Sequence, residues 1–169
     1  SGKSYSRQYI RSLTSQIQIR LVEIDLGEYR DEEITPRDIG ITIGLALGSP
    51  LPEFDLKTSR WTINFLNWFG YQVESLRGQI WIVFDGFGDA TPPRSVYESV
   101  DNLTRRIGQE RLPQVRCVLI DFEERLPREI EPVVEYHQTP QIEAMDIAQF
   151  FLEQNLGIQP ERISELTAR

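Results

Sequence analysis

The segment Ile80-Trp81-Ile82-Val83-Phe84-Asp85, five apolar residues closed by an acid, decides the fold class of this chain. Gly78 and Gly86 bound it on either side. A short, continuous apolar run between glycines is typical of a strand that is buried on both faces of a parallel sheet. An aspartate at the carboxyl end of such a strand lies at the crevice where open α/β sheets bind their ligands. This one segment therefore indicates both an architecture and a place for a site.

Two other apolar runs predict strands that pair with it. Ile17–Leu26 is rich in Ile, Leu and Val and is closed by Gly27, and Val115–Phe122 follows Pro113. A last strand is predicted at one of two places, Val133–Tyr136 or Gln141–Met145.

The segment from Thr35 to Gly48 carries two conflicting patterns. Thr35 and Pro36 resemble the N-cap and first residue of a helix, and Gly48 resembles its C-cap. The apolar residues between them alternate as in a strand: Ile39, Ile41, Ile43, Leu45 and Leu47. Because both ends carry helix signals, we predict a helix.

Four other segments predict helices. Apolar residues recur at three- and four-residue steps from Tyr5 to Ile17 and from Ser59 to Leu76. The aromatic residues of the second segment are interpreted as core packing and not as a ligand cage. Ser95 and Glu98 form a capping-box pattern before a third helix, and a fourth is predicted from Asp146 to Gly157.

Strands and helices thus alternate along the chain, which predicts an α/β fold with a parallel sheet and helices on both faces, a three-layer arrangement. The 169 residues are enough for one domain and little more. We predict that residues 1–157 form this domain and that residues 158–169 begin a following helical segment.

Composition excludes several classes of function. With 18 basic and 26 acidic residues the net charge is -8, which disfavours nucleic acid and anionic membranes as partners. One cysteine, Cys117, and one histidine, His137, cannot build a zinc cluster or an internal disulfide. Cys117 is predicted to be a core residue and His137 a surface one. Since no apolar stretch is long enough for a spanning helix or a signal peptide, we expect a cytoplasmic protein.

The first chemical motif is Gly2-Lys3-Ser4, directly before a predicted helix. A phosphate-binding loop ends in this way because glycine lets backbone N–H groups face the phosphate, lysine reaches its outer oxygens and the hydroxyl binds Mg²⁺. The positive end of the helix dipole adds to the same anion site. A tripeptide can also occur by chance, or its start can come from cloning. The second motif is Asp85, which in phosphate-loop enzymes holds the Mg²⁺ from the opposite side.

The order of these motifs gives the chain a family resemblance. It resembles the core of STAND-type P-loop NTPases, the switch ATPases of signalling and defence proteins, and particularly their divergent bacterial branch described as inactive STAND domains. The segments that carry the resemblance are Gly2-Lys3-Ser4, Leu21–Leu26 as the second strand, Trp81–Phe87 as the Walker B strand, Val115–Ile120 as the next strand, and Ile142–Phe151 as the last core strand with its helix.

The resemblance implies ATP and Mg²⁺ as cofactors, with Gly2, Lys3 and Ser4 at the phosphates and Ser4 and Asp85 on the metal. It also implies that the chain begins inside the loop, so that the first strand is missing. Active members carry Asp-Gly-x-Asp-Glu where this chain has Asp85-Gly86-Phe87-Gly88-Asp89. Asp89 would be the catalytic acid, one methylene shorter and therefore inefficient. Arg125 is a candidate γ-phosphate sensor, although a solvated surface arginine explains it more simply.

These expectations lead to an ATP-binding switch module of a bacterial signalling or defence protein, with slow or no hydrolysis. Its partners would be flanking effector and sensor domains and further copies in a homo-oligomer. An alternative is an inactive scaffold that mediates assembly without nucleotide. A third hypothesis, a kinase of a small metabolite, needs basic lid residues, and Arg105, Arg106 and Arg111 are better explained as helix surface.

Overall fold

The computed structural model describes residues 3–16, 19–29, 33–54, 58–88 and 91–136. Side chains are described for residues 7–15, 19–29, 33–54, 60–88 and 91–136. The predictions for His137, Gln141–Met145 and Asp146–Gly157 lie outside the described residues, as does the predicted boundary at residue 157. By internal contacts, residues 8–135 form one compact unit, and residues 1–7 with 136–169 form another. The site and core described below belong to the unit of residues 8–135.

The described residues form a mixed α/β fold around a parallel sheet. The strands are β1 (Arg20–Asp25), β2 (Ile80–Asp85) and β3 (Val115–Leu119), in the spatial order β1-β2-β3. The helices are α1 (Lys3–Gln16), α2 (Pro36–Leu47), α3 (Thr58–Ser75) and α4 (Arg94–Gly108). Two short 3-10 helices follow β1 and β3, at Leu26–Tyr29 and Arg128–Val133.

One face of the sheet carries the main core. Val22 and Ile24 of β1 lie in register with Ile82 and Phe84 of β2, and all four are buried. Both connections cross the sheet in the same direction, so right-handed crossovers place their helices on the same side. Helices α2, α3 and α4 accordingly contact one another and share this core with the sheet. On the opposite face, Glu23 accepts a hydrogen bond from Arg11 Nε of α1 at 2.7 Å.

The helix predicted between Thr35 and Gly48 is confirmed. The Asp38 carboxylate accepts hydrogen bonds from the backbone N–H and the hydroxyl of Thr35, at 2.8 and 2.7 Å, which holds the first turn closed. Gly48 ends the helix in the left-handed conformation. The strand-like alternation has a simple origin, because Ile39, Ile43 and Leu47 are buried at helical steps while Ile41 and Leu45 are exposed.

The predicted capping box at Ser95 and Glu98 is wrong. Helix α4 begins one residue earlier, at Arg94, with Pro93 as its N-cap. Glu98 accepts a hydrogen bond from Arg94 Nε at 3.2 Å, four residues back on the helix surface. Pro93 takes the cap position because its backbone φ of -64° is already fixed near the value that enters a helix.

The strands predicted at Ile17–Leu26, Ile80–Phe84 and Val115–Phe122 are all present, but the first and the third were predicted too long. β1 begins at Arg20 instead of Ile17, and β3 ends at Leu119 instead of Phe122. Val133–Tyr136 is not a strand, because Val133 ends a 3-10 helix and is 64% exposed. At the end of β3 the Ile120 N–H still donates to the Phe84 carbonyl at 2.9 Å, and the left-handed backbone at Asp121 then turns the chain away from the sheet.

Candidate functional site

Two aspartates lie side by side where β1 and β2 end. Asp25 and Asp85 are register partners at the carboxyl ends of their strands, and both are half-buried. Asp25 Oδ1 accepts the Gly27 N–H at 2.9 Å, and Asp85 Oδ1 accepts the Gly86 N–H at 2.8 Å. Each carboxylate thus holds the turn that follows its own strand. The structure places the sequence-predicted Asp85 at the carboxyl end of β2, the end of the strands at which parallel α/β sheets in general bind their ligands.

The turns after β1 and β2 meet backbone to backbone at Gly86. This residue has φ +91°, and a Cβ built on it would lie 2.6 Å from the Gly27 nitrogen. Only glycine fits a positive φ and so close an approach without strain. The Asp85-Gly86 ending of the strand is thereby explained by geometry at the candidate site.

An aromatic cluster lies beside these turns, and the sequence patterns did not reveal it. Phe87 packs against Phe84, Tyr97 and Phe122, with ring centroids 6.3, 5.7 and 4.9 Å away. Burial is the main cause that raises the pKa of the Tyr97 hydroxyl, and the charges of Glu124 and Glu123 raise it further. A usable signal existed, since Phe87 and Phe122 each stand just beyond an apolar run, but nothing in their spacing shows that they meet.

The remaining predicted ligands are placed only in part. Lys3 and Ser4 are the first two residues of α1, so the helix begins where the phosphate-loop hypothesis needs it to begin. Gly2 and Asp89 lie outside the described residues, and the side chains of Lys3 and Ser4 are outside them as well. Their roles stay predictions.

The arginines of the candidate region contact protein groups. Arg125 Nη2 lies 3.0 Å from Glu131 Oε1, in an exposed pair. Arg105 Nε lies 2.7 Å from Glu129 Oε1, and Arg106 Nη2 donates to Asn67 Oδ1 at 2.8 Å. Such contacts are those of surface arginines, as the sequence predicted for Arg105 and Arg106.

The aromatic stripe of α3 is core packing, as predicted. Trp61, Phe65 and Phe69 are buried and stack along the helix, with centroids 5.3 and 6.0 Å apart. A cavity of about 10 Å³ lies between α2, α3, α4 and Phe84, which is room for one water at most. No group of three His, Cys, Asp or Glu suited to a metal occurs in the part of the chain that the structure describes.

Cys117 lies on the core face of β3, in register with Ile82. Burial raises the pKa of its thiol to about 12 from the ordinary 9.0. Because the thiolate is the reactive form, the raised pKa keeps this cysteine inert through neutral and mildly alkaline pH. The structure therefore agrees with a core role and not with a nucleophile.

We expect iodoacetamide to alkylate Cys117 at pH 8 at least about a hundredfold more slowly in the native protein than in urea, where the thiol returns to its ordinary pKa. Intact-mass spectrometry over time measures both rates. A native rate equal to that in urea, or one that levels off near pH 9 like that of a free thiol, would contradict the raised pKa and the core placement of Cys117.

No protein-family model, curated protein or solved structure matches this chain. Within the described residues, no helix has both the length and the apolar character needed to cross a membrane.

Proposed function

We propose that this chain is a STAND-like, ATP-binding switch module that turns nucleotide over slowly or not at all. The observation that carries the proposal is the position of Asp85, at the carboxyl end of the middle strand of the described parallel sheet. Ligands of parallel α/β sheets bind at this end of the strands. The finer fold belongs to the same proposal: a P-loop-like sheet with helices on both faces.

Asp85 has the chemistry and the setting of a Mg²⁺ ligand. Its carboxylate is half-buried, and one oxygen is oriented by the Gly86 N–H at 2.8 Å. A carboxylate oxygen is a preferred ligand of Mg²⁺, which binds proteins through one or two carboxylates together with substrate phosphates. The hydrogen bond from the Gly86 N–H restricts rotation of the Asp85 carboxylate, so the side chain loses less conformational entropy when an ion binds.

Lys3 and Ser4 would supply the phosphate contacts. Helix α1 begins at Lys3, so the Gly2-Lys3-Ser4 motif stands at a helix start, where backbone N–H groups and the dipole favour an anion. In this proposal, as the resemblance to P-loop NTPases implies, the Lys3 ammonium binds the outer phosphate oxygens and the Ser4 hydroxyl is a metal ligand. Mg²⁺ would neutralise phosphate charge beside the two strand-end aspartates.

The surroundings of the site favour binding over turnover. The turn after β3 carries Asp121, Glu123 and Glu124, whose negative charges oppose the approach of a γ-phosphate. Arg125, the candidate sensor, is engaged by Glu131. Asp89 would act as a weak general base. A switch of this kind works by occupancy, because bound nucleotide stabilises one arrangement of the protein over another. Flanking effector and sensor domains in a cytoplasmic protein would read that arrangement.

The same acids and the Arg125–Glu131 pair also favour the second candidate function, an assembly scaffold that binds no nucleotide. The two functions share the fold and differ only in whether the protein binds a nucleotide and Mg²⁺, with Asp85 as a ligand of the metal.

Calorimetry of Mg-ATP with the full-length protein decides between them. We expect Asp85→Asn and Lys3→Ala each to weaken binding at least about tenfold, because each removes a charged contact. Glu98→Gln is the matched control: it also removes one negative charge, but from the exposed surface of α4. Circular dichroism verifies that the variants fold. Absence of binding in the wild-type protein overturns the switch and leaves the scaffold, whereas equal binding by Asp85→Asn overturns the metal-ligand role proposed for Asp85.

A further inference from the structure

The aromatic cluster has no part in the proposed nucleotide contacts. It joins two segments: the strand-end loop, Gly86–Gly88, and the β3 turn, Ile120–Phe122. We propose that the contact between the rings of Phe87 and Phe122 is a lock that couples the strand-end loop to the β3 turn, so that the two segments move together.

Phe87 is the anchor of the strand-end loop. It is 6% exposed although it stands in a loop between two glycines, of which Gly88 is exposed. Glycines on both sides give the loop little side-chain packing of its own. The position of the loop beyond Asp85 therefore depends on where the Phe87 ring is held.

The closest ring to Phe87 is that of Phe122, which belongs to a different strand connection. The centroids are 4.9 Å apart and the planes meet at 80°, the edge-to-face geometry that aromatic pairs favour. Tyr97 of α4 contacts both rings, at 5.7 and 5.9 Å, and gives the pair a common support.

The backbone conformation of the β3 turn places the Phe122 ring in the aromatic cluster. Asp121 has φ +57°, a left-handed conformation that is uncommon for a residue with a side chain. On one side of it the Ile120 N–H donates to the Phe84 carbonyl at 2.9 Å, and on the other the Phe122 ring is held in the cluster. A strained backbone persists only where its surroundings fix it on both sides, as they do here.

The lock links the candidate site to the protein surface. Gly86 directly follows Asp85, while the β3 turn leads into the exposed segment Glu123–Arg125. If the proposed function holds, a metal or nucleotide that shifts the strand-end loop also shifts the β3 turn. This last step rests on the proposed function, whereas the lock itself does not.

Amide hydrogen exchange of the full-length protein without nucleotide tests the lock. We expect Phe122→Leu to speed exchange in peptides that cover Gly86–Gly88 by about three- to tenfold, the factor that corresponds to a lost aromatic pair. Phe87→Leu should speed exchange at the β3 turn to a similar degree. In the double variant, the fold acceleration of exchange should be smaller than the product of the two single-variant accelerations, because both substitutions remove the same contact.

Phe65→Leu is the matched control, since Phe65 is buried on α3 and has no ring contact with the cluster. It should loosen the core without a selective effect on either segment. Unchanged exchange at Gly86–Gly88 in Phe122→Leu, or equal acceleration in Phe65→Leu, would overturn the lock.

A second arm adds Mg-ATP. In wild-type protein we expect altered protection at Ile120–Phe122, and in Phe87→Leu we expect that change to be lost while calorimetric affinity stays within about threefold. Persistence of the change in Phe87→Leu would overturn the coupling. If wild-type protein does not bind Mg-ATP, the proposed function fails, and the nucleotide-free arm still decides the lock.

Discussion

Replacement of Gly86 by alanine is expected to lower the free energy of unfolding by about 2–6 kcal/mol. Two penalties add: a side chain at φ +91°, worth roughly 1–3 kcal/mol, and overpacking against the Gly27 backbone, worth a similar amount. The contact offers no easy relief, because the Cβ would lie 2.6 Å from a backbone nitrogen and not from a flexible side chain. Urea denaturation followed by circular dichroism measures the loss.

Gly78→Ala separates the two penalties. Gly78 has nearly the same backbone angle, φ +95°, but among the described residues no heavy atom other than those of Gly78 and its chain neighbours lies within 4 Å of the position that an added Cβ would take. The variant should therefore cost only the conformational part, about 1–3 kcal/mol, and the effect of alanine on the unfolded chain is common to both variants. Equal costs at the two glycines would mean that the turns after β1 and β2 do not meet as described.

The same contact ties stability to the candidate site. The turns that touch at Gly86 are those that Asp25 and Asp85 hold through their Oδ1 atoms. A shift of either turn changes the direction in which its carboxylate faces. The close backbone contact at Gly86 thus fixes the turn after β2 and, with it, the direction of the Asp85 carboxylate.

Local patterns were sufficient for much of this fold. The apolar run Ile80–Phe84 predicted β2, and helix-end signals at Thr35, Pro36 and Gly48 correctly outweighed a strand-like alternation. These features succeed because their causes are local: buried strands need apolar residues on both faces, and helix ends need specific caps.

Features set by distant contacts were not predictable in this way. The spatial order β1-β2-β3 depends on which strand edges meet, and an apolar run does not encode its neighbour. The meeting of Phe87 with Phe122 likewise follows from the left-handed turn at Asp121, which no spacing rule indicates. The capping-box pattern at Ser95 failed because Pro93 offered the chain an earlier helix start.

Of the candidate site, the sequence predicted the strand-end position of Asp85 and a helix over Tyr5–Ile17, which in the structure begins at Lys3. It did not predict Asp25 as the register partner of Asp85, because register depends on pairing between segments about sixty residues apart. The Arg125–Glu131 pair was missed for a related reason: a short-range ion pair competes with a ligand role, and the sequence alone does not show which one the arginine takes.

Replacement of Phe69 by alanine is the other large effect we expect, a loss of about 3–5 kcal/mol in the free energy of unfolding. Phe69 is fully buried at 0% exposure and stacks on Phe65 with ring planes 13° apart. Its removal leaves a ring-sized hole between α3 and the rest of the core, which a close-packed interior fills only in part.

Tyr71→Ala on the same helix is the control, since Tyr71 is 72% exposed and its loss should change stability by no more than about 0.5 kcal/mol. Denaturation of both variants tests whether the aromatic stripe of α3 packs the core and how much it contributes to the free energy of unfolding. A stripe that packs the core must lose several kcal/mol at Phe69 and almost nothing at Tyr71. A small loss at Phe69 would instead contradict the interpretation of the aromatic face of α3 as core packing.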